Sequence, residues 1–429
     1  LLQSATGYHY EESSMAAEGI PLESAKWNAL SKENVSLLDE WNSGLIEKQL
    51  LSYMFRVNYD YNNKYLLTVS GRWDGASQLA EGNKWAFFPS AALGWRLDQE
   101  EFLKDVTWLN QLKFRLGVGV TGNSAIDPYQ TKGAIVSLYY PFGSALAPGY
   151  AASEPLIKDG AVAMANKNLS WEKTTQYNIG LDYSVLNGRI SGVLDFYTSR
   201  TTDLLMAMTI PSLNGYTNTY ANVGKTSNIG VDITLNTVNV KTRDFEWSTS
   251  INAAWQKDKI DELANGKEDD INNNWFIGQA LGVIYGYECG GLWKEEDAAE
   301  MAKFNAKGHS FQAGMVRPID QNGDYKIDPN DDRVIIGHTR PRWTFGMTNT
   351  FTYKNFDLSV MMYGRFDYMV DTGGEWQGGR YMQRKINYYN ENNKNAEYQK
   401  PIYNIGGGDP YYRIVGYKNG SFLKVRNIS

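Results

Sequence analysis

Apolar and polar side chains alternate along much of this chain with a period of two. Tyr53, Phe55, Val57, Tyr59 and Tyr61 alternate with Met54, Arg56, Asn58 and Asp60. A tight Asn62-Asn63 turn follows, and Tyr65, Leu67 and Val69 resume against Leu66, Thr68 and Ser70. Successive side chains of a strand point to opposite faces, so this grammar predicts a hairpin with one apolar face. It recurs at Tyr177 to Tyr183, at Ile190 to Phe196 after Asn187-Gly188, at Ile229 to Leu235, at Trp343 to Met347, and at Leu358 to Met362 after Lys354-Asn355. About twelve such strands are predicted.

The connections are unequal. Asn62-Asn63, Asn187-Gly188, Lys241 to Asp244 and Lys354-Asn355 are short turns. Tyr10 to Glu47, Asn123 to Lys173, Thr201 to Lys225, Asp258 to Arg340 and Asp367 to Gly420 read as long polar connections. Short turns at one rim and long loops at the other describe an antiparallel transmembrane β-barrel. The rival is a soluble sandwich or propeller, whose strands average about five or six residues, whereas these run longer. Aromatic residues gather at strand ends (Tyr59, Tyr61, Tyr65, Tyr183, Tyr197), as an interfacial girdle requires.

Composition agrees. Of 429 residues, 29 are Tyr, 16 Phe, 13 Trp and 41 Gly, an aromatic load unusual for a soluble α/β enzyme. No apolar run is long enough for a membrane helix, but a barrel strand needs only alternate apolar residues. A mean hydropathy of -0.47 therefore fits a barrel with polar lumen and loops. The net charge of -6 offers no basic surface to nucleic acid. One cysteine, Cys289, excludes a disulfide framework and a cysteine zinc site. The start at Leu1 has no initiator Met or signal peptide, and residues 422–429 read as a strand cut partway, so a piece of a larger barrel is expected.

Several segments resemble the SusC/RagA group of TonB-linked outer-membrane proteins. They are Gly71-Arg72-Trp73-Asp74-Gly75-Ala76-Ser77, Phe87-Phe88-Pro89-Ser90, Gly94-Trp95-Arg96, Leu112 to Arg115 and Thr121-Gly122-Asn123. Leu169 to Thr174, Asn178 to Asp182, Asp195-Phe196-Tyr197, Thr202 to Leu205, and Ala221 to Gly224 leading into Asn228 to Val231 extend the likeness in family order. The resemblance implies a barrel of about 22 strands, of which residues 1–429 form one partial domain corresponding roughly to strands nine to twenty. It implies a plug, a TonB-contacting segment and final strands lying outside this chain. It further implies a Gram-negative outer-membrane location, a SusD-like surface lipoprotein as lid, TonB-coupled energy, and glycan or peptide oligomers as cargo. A passive porin-like or adhesin barrel, or a soluble β-rich glycan-binding protein, is the alternative.

One motif carries chemistry. From Asp320, oxygen-bearing side chains fall at positions 1, 3, 5, 9 and 12 (Asp320, Asn322, Asp324, Asp328, Asp331), with the Lys326 carbonyl at 7. This is the oxygen spacing of an EF-hand calcium loop. Tyr325 stands where Gly normally permits the turn, and Asp331 is shorter than the usual Glu, so a solvated acidic turn is the alternative. The family carries a similar acidic loop before its Gly-x-x-x-Pro segment, here Gly337 to Pro341. Gly117 to Gly122 spells G-x-G-x-x-G, but no helix can begin at the following Asn123 to Pro128 loop, so no dinucleotide site is expected. His9, His309 and His338 are scattered, and Glu100-Glu101 and Glu295-Glu296-Asp297 read as rim charge rather than an acid/base pair. No enzymatic motif is present. Trp275, Trp376, Tyr381, Tyr388, Tyr389, Tyr411 and Tyr412 fall in long loops, where they either meet cargo or lid or pack on themselves. Trp376 and Tyr411 are expected to line the cargo route.

Overall fold

A computed structural model describes residues 1–18, 36–131, 136–143, 145–151, 163–211, 218–372, 386–401 and 409–429. Twelve strands form one sheet in chain order. They are β1 (Leu2–Glu18), β2 (Ser36–Tyr61), β3 (Tyr65–Ala76), β4 (Trp85–Arg96), β5 (Leu109–Asn123) and β6 (Glu172–Val185). The remainder are β7 (Ile190–Thr202), β8 (Lys225–Lys241), β9 (Phe245–Glu262), β10 (Trp343–Tyr353), β11 (Phe356–Phe366) and β12 (Phe422–Ile428). The registers follow the short turns. Tyr61 pairs with Tyr65 around Asn62, Asn63 and Lys64, and the two asparagines take the left-handed φ angles of 56° and 52° that a primed turn demands. Asn tolerates this left-handed region better than most residues, which is why it sits there.

The alternation is realised as two chemically opposite faces. On β2, Tyr53, Phe55, Val57, Tyr59 and Tyr61 are all exposed, with Val57 60% accessible. On β3, Tyr65, Leu67, Val69 and Trp73 share that exposure. The other face holds the hidden polar groups: Ser52 is 1% and Asp74 7% accessible. An apolar face this extensive is foreign to a water-soluble monomer, where exposed apolar patches rarely exceed a few hundred Å². Glycines on it are filled from neighbouring strands. A Cβ at Gly71 would lie 2.6 Å from Phe55 Cε1 and 2.7 Å from Phe87 Cε2, and one at Gly75 would meet the Trp85 indole.

All five predicted long connections are more ordered than the sequence pattern shows, those at 123–173 and 201–225 through the pairs Val136–Phe142 with Ala145–Ala151 and Leu205–Thr209 with Asn218–Asn222. Between Tyr10 and Glu47, β1 runs on to Glu18 and β2 restarts at Ser36, with Glu18 paired to Ser36. The ladder persists there although the alternation that would reveal it is absent from the sequence. The stretches 258–340 and 367–420 likewise contain short paired strands and a helix, taken up below.

Chain contacts divide the protein into two compact units. The first (residues 1–94, 116–177 and 199–225) has a small core of Ala76, Leu79, Phe88, Ile126, Leu169 and Trp171. Backbone and side-chain bonds tie its loops together: Ala80 N–H donates to Leu169 O at 3.1 Å and Trp171 Nε1 to Lys84 O at 2.9 Å. The second (95–115, 178–198 and 226–429) contains the loop body that carries the acidic motif.

Substituting Gly71→Val forces the Phe55 and Phe87 rings apart. It is expected to destabilise the folded barrel by about 1–3 kcal/mol, read as a lower urea midpoint of heat-modifiable, bilayer-inserted protein.

Candidate functional site

The polar face is built from charges placed at alternate positions of neighbouring strands. In the first unit, Arg72 Nε reaches Asp74 Oδ1 and Oδ2 at 2.7 and 2.8 Å, and its Nη2 donates to Ser52 Oγ at 2.9 Å. In the second, Arg115 bridges two strands: Nε to Asp182 Oδ1 at 2.9 Å and Nη2 to Asp195 Oδ2 at 3.0 Å. Gly180 leaves the space, since a Cβ there would lie 2.6 Å from both the Arg115 guanidinium and Asp195. These pairs are partly wet and contribute little net stability. Their effect is to hold a charged wall in fixed geometry.

The loop body rests on two adjoining cores. Trp293, Met301, Phe304, Phe311, Met315 and Ile327 make the first, with Met301 and Phe304 presented by α1 (Ala298–Ala306). Glu295, Glu296 and Asp297 lie just before that helix, and Asp297 Oδ2 accepts the Lys294 N–H at 2.9 Å. Asp297 thus closes the start of that helix, while Glu295 pairs with Lys394 at 2.6 Å. Val316, Tyr398, Ile414 and Val415 make the second core. Asp409 clamps two chain-distant segments, its Oδ2 accepting Val316 N–H at 2.6 Å and its Oδ1 accepting Tyr411 N–H at 2.9 Å. Burial raises its carboxyl above the ordinary range, against the pull of those two amides.

The acidic motif forms a closed turn on this body. Tyr325 takes φ 65°, the left-handed bend that glycine usually supplies at position 6. Asp320 accepts from Gly323 N at 2.7 Å and Tyr325 N at 2.8 Å, Asn322 from Asp324 N at 3.0 Å, and Asp324 from Lys326 N at 2.8 Å. Asp328 Oδ2 is paired with the Lys326 ammonium at 2.9 Å, which holds that carboxyl below its ordinary range. Asp331 is exposed. The neighbouring Asp332, missed by spacing, is fully buried and accepts from Gln321 N and Asp328 N, both at 2.8 Å. An Asp-Asp doublet before Arg333 was its only sequence signal. Among the described residues, no three acidic, His or Cys side chains are gathered as a metal set.

The other expected residues fall as follows. Tyr411 lies edge-on to Tyr287 at 5.2 Å and, half-buried, packs against both cores. Burial, reinforced by Tyr287, pushes its phenol up to about 12. Tyr412 is half-buried in the short turn Tyr412–Gly416, and Trp275 is half-buried in a turn closed by mutual backbone bonds with Asp270 at 2.9 and 2.8 Å. Trp376 and Tyr381 lie outside the described residues. The glycines 117–122 lie wholly within β5, as a strand rather than a phosphate loop.

A family model described as TonB dependent receptor-like, beta-barrel matches residues 23–417. The chain belongs to this family. TonB-dependent receptor SusC of Bacteroides thetaiotaomicron is 32% identical, across 94% of this chain and 40% of that protein. TonB-dependent receptor P26 of Formosa agariphila is 33% identical, across 81% of this chain and 35% of that protein. The solved RagAB peptide importer in its open-open state shares the fold, with a TM-score of 0.78 at 23% identity over 99% of this chain and 45% of that one. The chain spans two fifths or less of the length of these curated relatives. It is thus a SusC/RagA-type receptor barrel of the Gram-negative outer membrane, and its apolar sheet face is the lipid face.

His309 gives the loop body a pH signature. Its Nε2 accepts the Ile327 N–H at 3.0 Å and its ring stacks on Phe311 at 5.0 Å. Burial lowers its pKa below 6.5, with Asp332 and Asp324 opposing and Lys326 assisting. The proton therefore prefers the unfolded loop. Stability is full above pH 6.5 and is lost progressively as pH falls below it. Amide exchange at Ile327, corrected for intrinsic rate, is expected to quicken between pH 7.5 and 5.5, and H309Q to remove that dependence.

Proposed function

We propose that this sheet is the wall of a TonB-dependent importer of nutrient oligomers, working with a SusD-like lipoprotein as its lid. The observation that carries the reading is the pairing of a charged, immobilised inner face with a structured loop body beside it. Salt bridges such as Arg115–Asp182–Asp195 leave a wall that is wet but rigid, suited to polar cargo. The names of the TonB-dependent relatives and of the peptide importer support a coupled uptake of oligomers. Oligopeptides and oligosaccharides both fit a wall of this chemistry.

A strain lacking the full-length gene is expected to lose growth on its oligomer and regain it on complementation. A proton uncoupler should then stop uptake by the complemented strain. Uptake indifferent to the uncoupler would favour the passive porin-like reading.

We also infer that calcium occupies the loop of Asp320, Asn322, Asp324, Lys326, Asp328 and Asp331. The support is conformational. The bend at Tyr325 is already made, and Asp320, Asn322 and Asp324 already turn inward onto the loop's own amides. Lys326 must release Asp328 for the ion to enter. Millimolar calcium is expected to raise the melting temperature of the intact receptor by about 2 °C or more over EDTA. K326M should enlarge the shift, and identical melting in both buffers would sink the idea.

A further inference from the structure

On β8, β9 and β10 the lipid face stops being apolar before it reaches the short turns. Along β8 it reads Ile229, Val231, Ile233 and Leu235, then Thr237 and Asn239. Along β10 it reads Phe345 and Met347, then Asn349, before Phe351 and Tyr353 restore the aromatic girdle. On β9 the same height carries Thr249, in register with Asn349, and Trp247, in register with Phe351.

These side chains form one continuous chain of hydrogen bonds. Thr237 Oγ1 donates to Asn239 Oδ1 at 2.9 Å, and Asn239 Nδ2 donates to Thr249 Oγ1 at 2.7 Å. Thr249 Oγ1 then donates to Asn349 Oδ1 at 2.7 Å, where Trp247 Nε1 also arrives at 3.1 Å. Trp247 stacks on Phe351 at 5.7 Å, shielding one side. Four residues separate Asn349 from Tyr353, about 13 Å along the strand and roughly 9 Å in height at a ~45° tilt. Two amide side chains so deep in hydrocarbon are costly unless every donor finds an acceptor. The strip satisfies its oxygens well but leaves N–H donors of Asn239 and Asn349 over, since only one of their four is used among the described residues.

The rim below is cationic. Arg189 anchors its guanidinium on the Val238 and Asn239 carbonyls at 3.3 and 3.0 Å, and Lys241 pairs with Glu246 at 2.9 Å. Arg243 and Lys354 stand in the two turns, and among the described residues neither forms an ion pair, though the Lys354 ammonium lies over the Tyr353 ring at 5.3 Å; Asp244 and Asp357 are the other acids there, and Asp357 accepts from Thr352 at 2.7 Å. Spare donors above and spare cations below call for a ligand that is all acceptors, with an anionic end at the turn side and apolar tails above. We propose that this strip binds the phosphate–glycerol region of an acidic phospholipid in the inner leaflet. Arg243 and Lys354 take the phosphate, Asn239 and Asn349 the ester oxygens, and Leu235 and Met347 the start of the acyl chains.

The test uses the intact transporter in neutral detergent, titrated with dioleoylphosphatidylglycerol or dioleoylphosphatidylcholine, with bound lipids counted by native mass spectrometry. The wild type is expected to keep a phosphatidylglycerol adduct in preference to phosphatidylcholine. T249V with N349L should cut its occupancy about tenfold, and R243Q with K354Q, which touch no core, should cut it about tenfold and erase the preference. Heat-modifiable migration confirms folding, and the turn variant decides the matter should the strip variant not insert. Unchanged occupancy in folded variants overturns the proposal. So does loss of an oligomer at constant lipid count, which would make the strip a contact between two copies.

Discussion

Every backbone N–H and C=O that enters hydrocarbon must be paired inside the protein, because the lipid offers no partner. For a chain without an apolar helix, pairing strand to strand is the remaining solution. That requirement explains why the twelve strands follow one another in chain order, each hydrogen-bonded to its sequence neighbours. It also explains where the unusual φ angles fall. Asn62, Asn63, Asn187, Gly188 and Lys354 all sit at hairpin tips, where the ladder must reverse within a few residues without leaving amides exposed.

Once the backbone is settled, the side chains divide by solvent. The hydrophobic effect does not drive a core between layers here, because lipid solvates Tyr53, Phe55 and Val57 as well as a protein interior would. Polar groups are what must be sequestered: Arg72 meets Asp74, and Arg115 meets Asp182 and Asp195, away from the apolar positions. Conventional cores reappear where water returns. Trp293, Phe304 and Phe311 pack in the loop body as they would in any small soluble domain.

The strands of this sheet were legible in the sequence because lipid on one side and water on the other imposes a period of two. Tyr53 to Tyr61 and Ile229 to Leu235 announce themselves. Residues 11–18 and 36–46 carry no such period, yet they pair. The acidic motif was legible from its spacing, but not the division of labour inside it. Asp331 and Asp332 are indistinguishable as neighbours, and only the fold makes one exposed and the other a buried clamp. The packing of Tyr411 was hidden for a similar reason. An aromatic ring in a long loop has the same sequence signature whether it faces cargo or, as here, Tyr287 and Phe311.

The loop body shows how a long connection becomes rigid with only short two-stranded ladders of its own. Its segments lie far apart in sequence, so joining them costs closure entropy, though that cost grows only slowly with loop length. Against it stand contacts made on both sides of the gap: Asp409 on the Val316 and Tyr411 amides, Lys400 N–H on Gly314 O at 2.7 Å, and Lys394 on Glu295 at 2.6 Å. The ion pair is exposed and weak. Asp409 is not, because it is 5% accessible and losing it would orphan two amides at once in a buried setting. The rigidity of the body therefore depends on the buried carboxylates Asp409 and Asp332 and on two packed cores far more than on its visible surface charges. That is why the sequence, read by its charge runs, presents this region as a solvated loop.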